Sequence, residues 1–531
     1  MSEGAGVVQR RIVVGAVLCA AAFALVGIRL VDVTVLRRDG VLHIFTPRVS
    51  VSRADLTDRN HELLARDLPV QDLYARPDTL WDKGDAAHEL AAAVGSDERR
   101  LAFEFAGKHP YALVARQLAP DAIDRVMHLG LPGLEFEPSS KRFYPDGRAT
   151  AQVLGVTDPD NKGVSGLELG LDARLKHAAT PLVSSLDMRV QYILAHEADA
   201  ARTTFRAKAA GGLVMDVNTG EILAMVSLPD FDPNLRQLGE HDSQRNIIAQ
   251  DVYELGSIFK IFAFTLALDN HTTNPDEVFK IGQGLKVGRF TIHEAERMPA
   301  VLAARDVLAK SSNIGTAQIA LRSGPDRQRA FLARMGLLAP IHTELPEGAR
   351  PLYPARWGTV ETATVGFGHG ISVSPLAFAA AAAVVVNGGR RLVPTFLKNE
   401  ADRRGQQLIK PETSAAMRGL LRYVVTNGTG KRADVPGYDV GGKTGSAEKA
   451  GPHGYQAHKL VTSFCAVFPI DAPRYLVFVM LDEPHGTKET GGFALAGYTA
   501  APAAGRIISR IAPLLGVPQR APPITVAREN S

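Results

Sequence analysis

Hydrophobic and polar positions change rhythm several times along this chain. Ile12–Ile28 is an uncharged, mostly apolar run bounded by Arg11 and Arg29. At 17 residues it just reaches the length a helix needs to span a bilayer, and Leu30 and Val31 extend it if Arg29 snorkels to the interface. A cleaved signal peptide is the rival reading, since Arg10-Arg11 precede the run and Ala22-Phe23-Ala24 resembles a cleavage site. The run continues past that point through Leu25-Val26-Gly27-Ile28, which favours a retained anchor over 12–31 behind a short cytoplasmic tail, 1–11. Arginines flank both ends, so charge does not orient the anchor. The shortness of the tail places nearly all of the chain on the far side, in the periplasm.

From 32 to 180 the pattern is mixed: short β-like pieces alternate with turn signals such as Tyr144-Pro145-Asp146-Gly147 and Asp158-Pro159-Asp160-Asn161. This predicts an elongated, mixed α/β module. At Leu182 the texture changes. Asp187 is placed to N-cap a helix running to about Lys208. Gly212–Val217 and Ile222–Ser227 predict two strands joined by Asn218-Thr219-Gly220-Glu221. A long Ala- and Leu-rich helical stretch follows, and sheet signals return at Tyr438–Gly442, Leu460–Phe468 and Tyr475–Leu481. Ala503–Ile511 predicts a closing helix, with a loose tail over 517–531. Two early strands and three late ones bracket a helical middle, so the fold class over 181–516 is α+β, an antiparallel sheet whose helices arrive in one insertion.

Composition narrows the function classes. A chain of 531 residues has room for two or three domains. The net charge is only +4, with Lys and Arg scattered rather than gathered into a stripe, so no nucleic-acid partner is expected. Cys19 and Cys465 lie in unrelated segments, so no disulfide is expected between them. No His, Cys and Asp cluster has metal-ligand spacing, and neither a metal nor a cofactor is expected.

Candidate chemistry begins at Gly256-Ser257-Ile258-Phe259-Lys260, which opens an apolar run to Leu268. Lys260 is the only charge between Glu254 and Asp269, and a buried lysine has a lowered pKa that suits it to act as a general base. At i and i+3, Ser257 and Lys260 share a helix face, with the serine at the helix N-terminus. Taken alone, such a Ser-x-x-Lys is more often an ordinary helix start, and a second one occurs at Ser446–Lys449. Lys310-Ser311-Ser312-Asn313 reads equally as a loop or cap. Gly441-Gly442-Lys443-Thr444-Gly445-Ser446 is a glycine-rich strand against which a ligand backbone could lie, or a plain hairpin.

In that order, Ser-x-x-Lys, Ser-x-Asn and Lys-Thr-Gly form a set that resembles the penicillin-binding proteins and serine β-lactamases. Upstream, Arg53-Ala54-Asp55-Leu56-Thr57-Asp58-Arg59-Asn60, Arg142-Phe143-Tyr144-Pro145 with Gly147, and Gly163 with Gly166-Leu167-Glu168 resemble the boxes of the non-catalytic pedestal of class B members. Ala54 and His61 stand where glycines are usual, Leu255 where proline is common, and Ser446 where threonine is common. Gly428-Thr429-Gly430-Lys431-Arg432-Ala433, leading through Pro436-Gly437-Tyr438 to Lys443, is most similar to the division-specific septal transpeptidases.

The resemblance implies a transpeptidase domain with an antiparallel sheet flanked by helices, on a pedestal whose boxes brace the two domains. It implies Ser257 as nucleophile, Lys260 as its base, Ser311 as proton relay, and Asn313 orienting the stem peptide and Lys260. Thr444, Gly445 and Ser446, with Lys443, would bind the terminal carboxylate, and the Ser257 and Ser446 N–H groups would form the oxyanion hole. The implied partners are peptidoglycan stem peptides (a D-Ala-D-Ala donor and an amine acceptor), β-lactams, the inner membrane, a multispanning glycosyltransferase and other division proteins. An elongation-type transpeptidase, a D,D-carboxypeptidase or β-lactamase, a β-lactam sensor and a silent division scaffold are the alternatives. A glycan-polymerising activity is not expected, because the region before Thr180 resembles a pedestal.

Overall fold

The computed structural model of the protein describes residues 3–31, 52–235, 244–398, 405–451 and 454–520. Within it the alternating apolar segments build a five-stranded antiparallel sheet. Its strands are β1 (Ala209–Asp216), β2 (Ile222–Leu228), β3 (Gly441–Gly451), β4 (Gly454–Phe468) and β5 (Tyr475–Asp482), in the spatial order β3-β4-β5-β1-β2. Successive side chains of a strand go to opposite faces. Tyr475, Val477, Val479 and Leu481 of β5 accordingly enter one core, while Leu476, Phe478 and Met480 enter the other.

The helices that close these cores include α1 (Met188–Thr204), α2 (Lys260–Asp269), α3 (Asn313–Ser323), α4 (Pro375–Val386), α5 (Pro411–Asn427) and α6 (Ala500–Leu514). α1 and α6 cover one face through Val190, Leu194, Ile507, Ile508 and Ile511. The insertion between β2 and β3 covers the other. There Phe259 and Phe262 (5.3 Å), Phe262 and Phe378 (5.3 Å), and Phe378 and Phe478 (5.9 Å) stack in a chain that ties α2 and α4 to the sheet. Asp187 caps α1 by accepting the Arg189 amide, and Ser374 caps α4, with Pro375 at its first position.

Two expected elements start elsewhere. The late strand predicted over Tyr438–Gly442 begins only at Gly441, because Gly437 (φ 85°) and Asp439 (φ 44°) leave the extended region. Ser257 lies not in an α-helix but in a 3₁₀ turn, Gly256–Phe259, that feeds α2.

The chain divides into two compact units, Met1–Val51 with Val70–Ser139, and Ser52–Pro69 with Ser140–Ser531. The first packs Leu73, Leu90, Leu101, Phe105, Val114 and Val126 between helices Lys83–Val94, Glu98–Ala106 and Pro120–Met127 and the strand Ala112–Leu118. The upstream boxes converge inside the second. Buried Arg53 pairs with Glu168 (2.8 Å) and Asp172 (2.5 Å), and buried Arg142 with Glu168 (2.8 Å) and Asp67 (3.1 Å). In the same unit Arg59 reaches Glu221. His61, standing for the usual glycine, holds the left-handed conformation that glycine favours (φ 70°). Val517 is buried and Arg520 bonds to Asp439 at 2.7 Å, so the start of the expected loose tail is tied down; 521–531 lie outside the described residues, as do 32–51 of the pedestal span.

The apolar N-terminal run is part of a helix, Glu3–Val31, on which Val14, Leu18, Phe23, Leu25 and Ile28 are exposed. Among the described residues no helix is long and apolar enough to cross a membrane. Cys19 and Cys465 are both free thiols.

Candidate active site

The site forms where the turn before α2, the loop before α3 and edge strand β3 meet. Gly256 opens that turn at φ 59°, and a Cβ there would lie 2.6 Å from the Ser446 carbonyl oxygen. Only glycine allows the approach. It brings half-buried Ser257 beside β3, and both line a cavity of about 640 Å³ shared with Ser311, Asn313, Thr444 and Ser446.

Behind Ser257, Lys260 is fully buried at the start of α2. Its Nζ donates to the Ser311 carbonyl (2.5 Å), Ser311 Oγ (3.1 Å) and Asn313 Oδ1 (2.8 Å). Lys443, equally buried, donates from β3 to Ser311 Oγ (3.1 Å), the Thr444 carbonyl (3.0 Å) and Thr444 Oγ1 (3.3 Å). One hydroxyl thus sits between two buried amines.

Burial above all, then the Lys443 charge, push Lys260 well below the ordinary lysine range, and Glu294 acts in the opposite direction. Burial lowers Lys443 to about 7. The direct bond expected between Lys260 and Ser257 is not formed: among the described residues no hydrogen bond joins them. The Lys260 Nζ contacts Ser311 and Asn313 instead. Deprotonation of Lys260 would free a lone pair for the Ser257 hydroxyl.

Ser311 itself is in the left-handed region at φ 63°, a conformation that costs a non-glycine residue about 1–3 kcal/mol and clusters at functional sites. It is held there by the Ser311 and Ser312 amides donating back to Leu308 and Val307. On β3, Thr444 Oγ1 lies 2.6 Å from Thr429 Oγ1, and Ser446 Oγ accepts the Ala496 amide at 3.0 Å.

The glycines of this strand serve close packing within the protein. A Cβ on Gly445 would meet the Leu255 carbonyl at 2.4 Å and Ile258 at 3.0 Å, and one on Gly442 would meet the Cys465 carbonyl at 2.5 Å. They let β3 pack against the nucleophile turn and β4. The second Ser-x-x-Lys is unrelated to the first, because Lys449 pairs with Asp482 and Glu483.

Comparison with known proteins decides the family. Residues 210–508 match the penicillin-binding protein transpeptidase domain and 48–177 the penicillin-binding protein dimerisation domain. The chain belongs to the class B penicillin-binding proteins. FtsI of Caulobacter vibrioides, named a probable peptidoglycan D,D-transpeptidase, is 40% identical over 495 residues, covering 90% of this chain and 84% of that one. PenA of Neisseria gonorrhoeae, given the same description, is 32% identical over 483 residues, covering 84% and 82%. The crystal structure of penicillin-binding protein 3 of Mycobacterium tuberculosis complexed with aztreonam is similar at a TM-score of 0.69 and 25% identity, covering 89% of this chain and 98% of that one.

Several residues of this penicillin-binding protein's site escape sequence reasoning. Glu294 accepts from Ser312 Oγ, Asn313 N and Ile314 N. Thr429 touches Thr444. At the cavity rim His369 stacks on Tyr455 (4.5 Å), whose hydroxyl donates to Glu254 (3.0 Å), and Arg432 lies over the Tyr498 ring (4.1 Å). Thr429, Arg432 and Glu254 lay in or at the edge of segments already singled out; Glu294, His369, Tyr455 and Tyr498 carry no motif signal.

Proposed function

We propose that this penicillin-binding protein is a peptidoglycan D,D-transpeptidase of the division septum, held at the inner membrane by the apolar run 12–31 and facing the periplasm. The observation that carries the chemistry is the Ser311 hydroxyl shared by two buried amines beside Ser257. Neutral Lys260 takes the Ser257 proton as Oγ attacks the carbonyl between the two terminal D-alanines of a stem peptide. The Ser257 and Ser446 N–H groups hold the oxyanion. The C–N bond then breaks, and the departing D-alanine amine receives a proton through Ser311, resupplied from the Lys260 and Lys443 amines. Thr444, Ser446 and Lys443, on a backbone brought close by Gly445, bind the terminal carboxylate, and Asn313 orients the donor and Lys260. An amine of a second stem peptide attacks the ester, forming the cross-link and freeing Ser257.

β-Lactams acylate the same oxygen, in keeping with the aztreonam-bound relative. The exposed side chains of Val14, Leu18, Phe23, Leu25 and Ile28 support the anchor, since lipid would cover them. FtsI likeness supports septal duty, in which polymerisation falls to a multispanning glycosyltransferase and other division proteins.

The test supplies the purified chain with D-Ala-D-Ala-ended donor strands and amine-bearing acceptor strands. Release of D-alanine with formation of the amide is expected. D-Alanine release with free acid as the only product would make it a D,D-carboxypeptidase.

A further inference from the structure

Glu294 follows the short hairpin Leu285–Val287 and Phe290–Ile292 and arrives at the first turn of α3. Its Oε1 accepts from Ser312 Oγ (2.5 Å) and Ile314 N (3.0 Å), and its Oε2 from Asn313 N (2.8 Å). Ser312 Oγ in turn takes the Gly315 amide at 3.0 Å. The neighbouring His293 carbonyl lies 3.5 Å from Asn313 Nδ2, on the amide whose oxygen meets Lys260 at 2.8 Å. Ser311, one residue before this clamp, is the residue held at φ 63° between the two amines.

We infer that Glu294 is a positioning residue of the acylation step, holding the turn from Ser311 to Asn313 against the Lys260 amine. Three donors converge on it, two of them unsatisfied amides of a helix start. A carboxylate meets all three because it is acceptor-only with two oxygens, whereas an amide would turn its NH₂ toward one of them. Its negative charge also suits the helix N-terminus.

The same charge reaches the base. The charged groups that face Lys260 are Lys443 from β3, which disfavours its protonated form, and Glu294, which favours it. Loss of the Glu294 charge therefore lowers the pH at which Lys260 becomes a free amine.

The inference rests on the proposed acyl-enzyme chemistry, and the test separates the two. The rate of Ser257 acylation by benzylpenicillin is measured against pH for the wild-type chain, Glu294→Gln and Glu294→Asp, resolved into the binding constant and the maximal rate, with thermal melts to verify folding. Glu294→Gln should lower the maximal rate about tenfold with little change in binding, and move the acid limb of the profile down by about half a pH unit to one unit. Glu294→Asp, which keeps the charge, should restore the limb to the wild-type position. A wild-type chain that is never acylated would sink the underlying reading. Wild-type acylation matched by Glu294→Gln, or slowed in it with an unmoved acid limb, would overturn the role of Glu294.

Discussion

Lys260 and Lys443 both donate to Ser311 Oγ, so neither amine titrates independently of the other. Replacing Lys443 by Met removes a positive charge that faces Lys260, and the acid limb of Ser257 acylation should move to higher pH. That is opposite in sign to the shift expected for Glu294→Gln, and stopped-flow acylation across pH reads both. Lys443 also has a stability signature. Its folded value is about 7 against an ordinary 10.5, so between those values the unfolded chain binds the additional proton. Its contribution to stability is fully present above 10.5 and is lost as pH falls toward about 7. Urea midpoints of the wild-type chain should rise from the low to the high end of that window, and rise less in Lys443→Met. These residues were legible because their spacing repeats a known set and because a lone lysine in an apolar run is conspicuous. Glu294 was not. It sits in His293-Glu294-Ala295, where nothing local signals that folding delivers its carboxylate to a helix start far along the chain.

The sheet and the nucleophile turn depend on close backbone approach. Gly445→Ala would place a methyl 2.4 Å from the Leu255 carbonyl, which must push β3 and the Ser257 turn apart. We expect a loss of about 1–3 kcal/mol of stability by chemical denaturation, and a larger proportional loss of acylation because both halves of the site move. In the apolar core behind the turn, Phe262→Ala should cost about 3–5 kcal/mol by breaking the ring chain from Phe259 to Phe478. β5 and β4 were readable because Tyr475–Leu481 and Leu460–Phe468 are short, largely apolar runs of the kind a strand buried on both faces needs. The start of β3 was set three residues early, at Tyr438, and Gly441-Gly442-Lys443-Thr444-Gly445 carries no alternation to locate it. Its strand state comes from pairing with β4, Lys443 opposite Cys465 and Thr444 opposite Phe464, a long-range partner invisible to local pattern. That the strand glycines serve contacts within the protein was likewise invisible before their neighbours were in place.

At the scale of the whole molecule, the account joins an N-terminal apolar helix, a pedestal and a serine acyltransferase site. Removal of residues 1–31 should leave β-lactam labelling of the purified protein unchanged but shift the chain from the membrane to the soluble fraction and abolish midcell enrichment of a fluorescent fusion. Retention in the membrane fraction after that deletion would dismiss the anchor. The α+β order of elements and the transpeptidase set were visible in sequence, whereas the ion pairs that the upstream boxes make were not. Contacts such as Arg53 with Glu168 are made between segments separated by the rest of the pedestal. The most direct test of the central claim is intact-mass and peptide-mapping spectrometry of the full chain after exposure to a penicillin, beside Ser257→Ala. The account requires one covalent adduct, on Ser257, absent from the variant. A folded chain with no adduct, or one labelled at another residue and equally in Ser257→Ala, would contradict it.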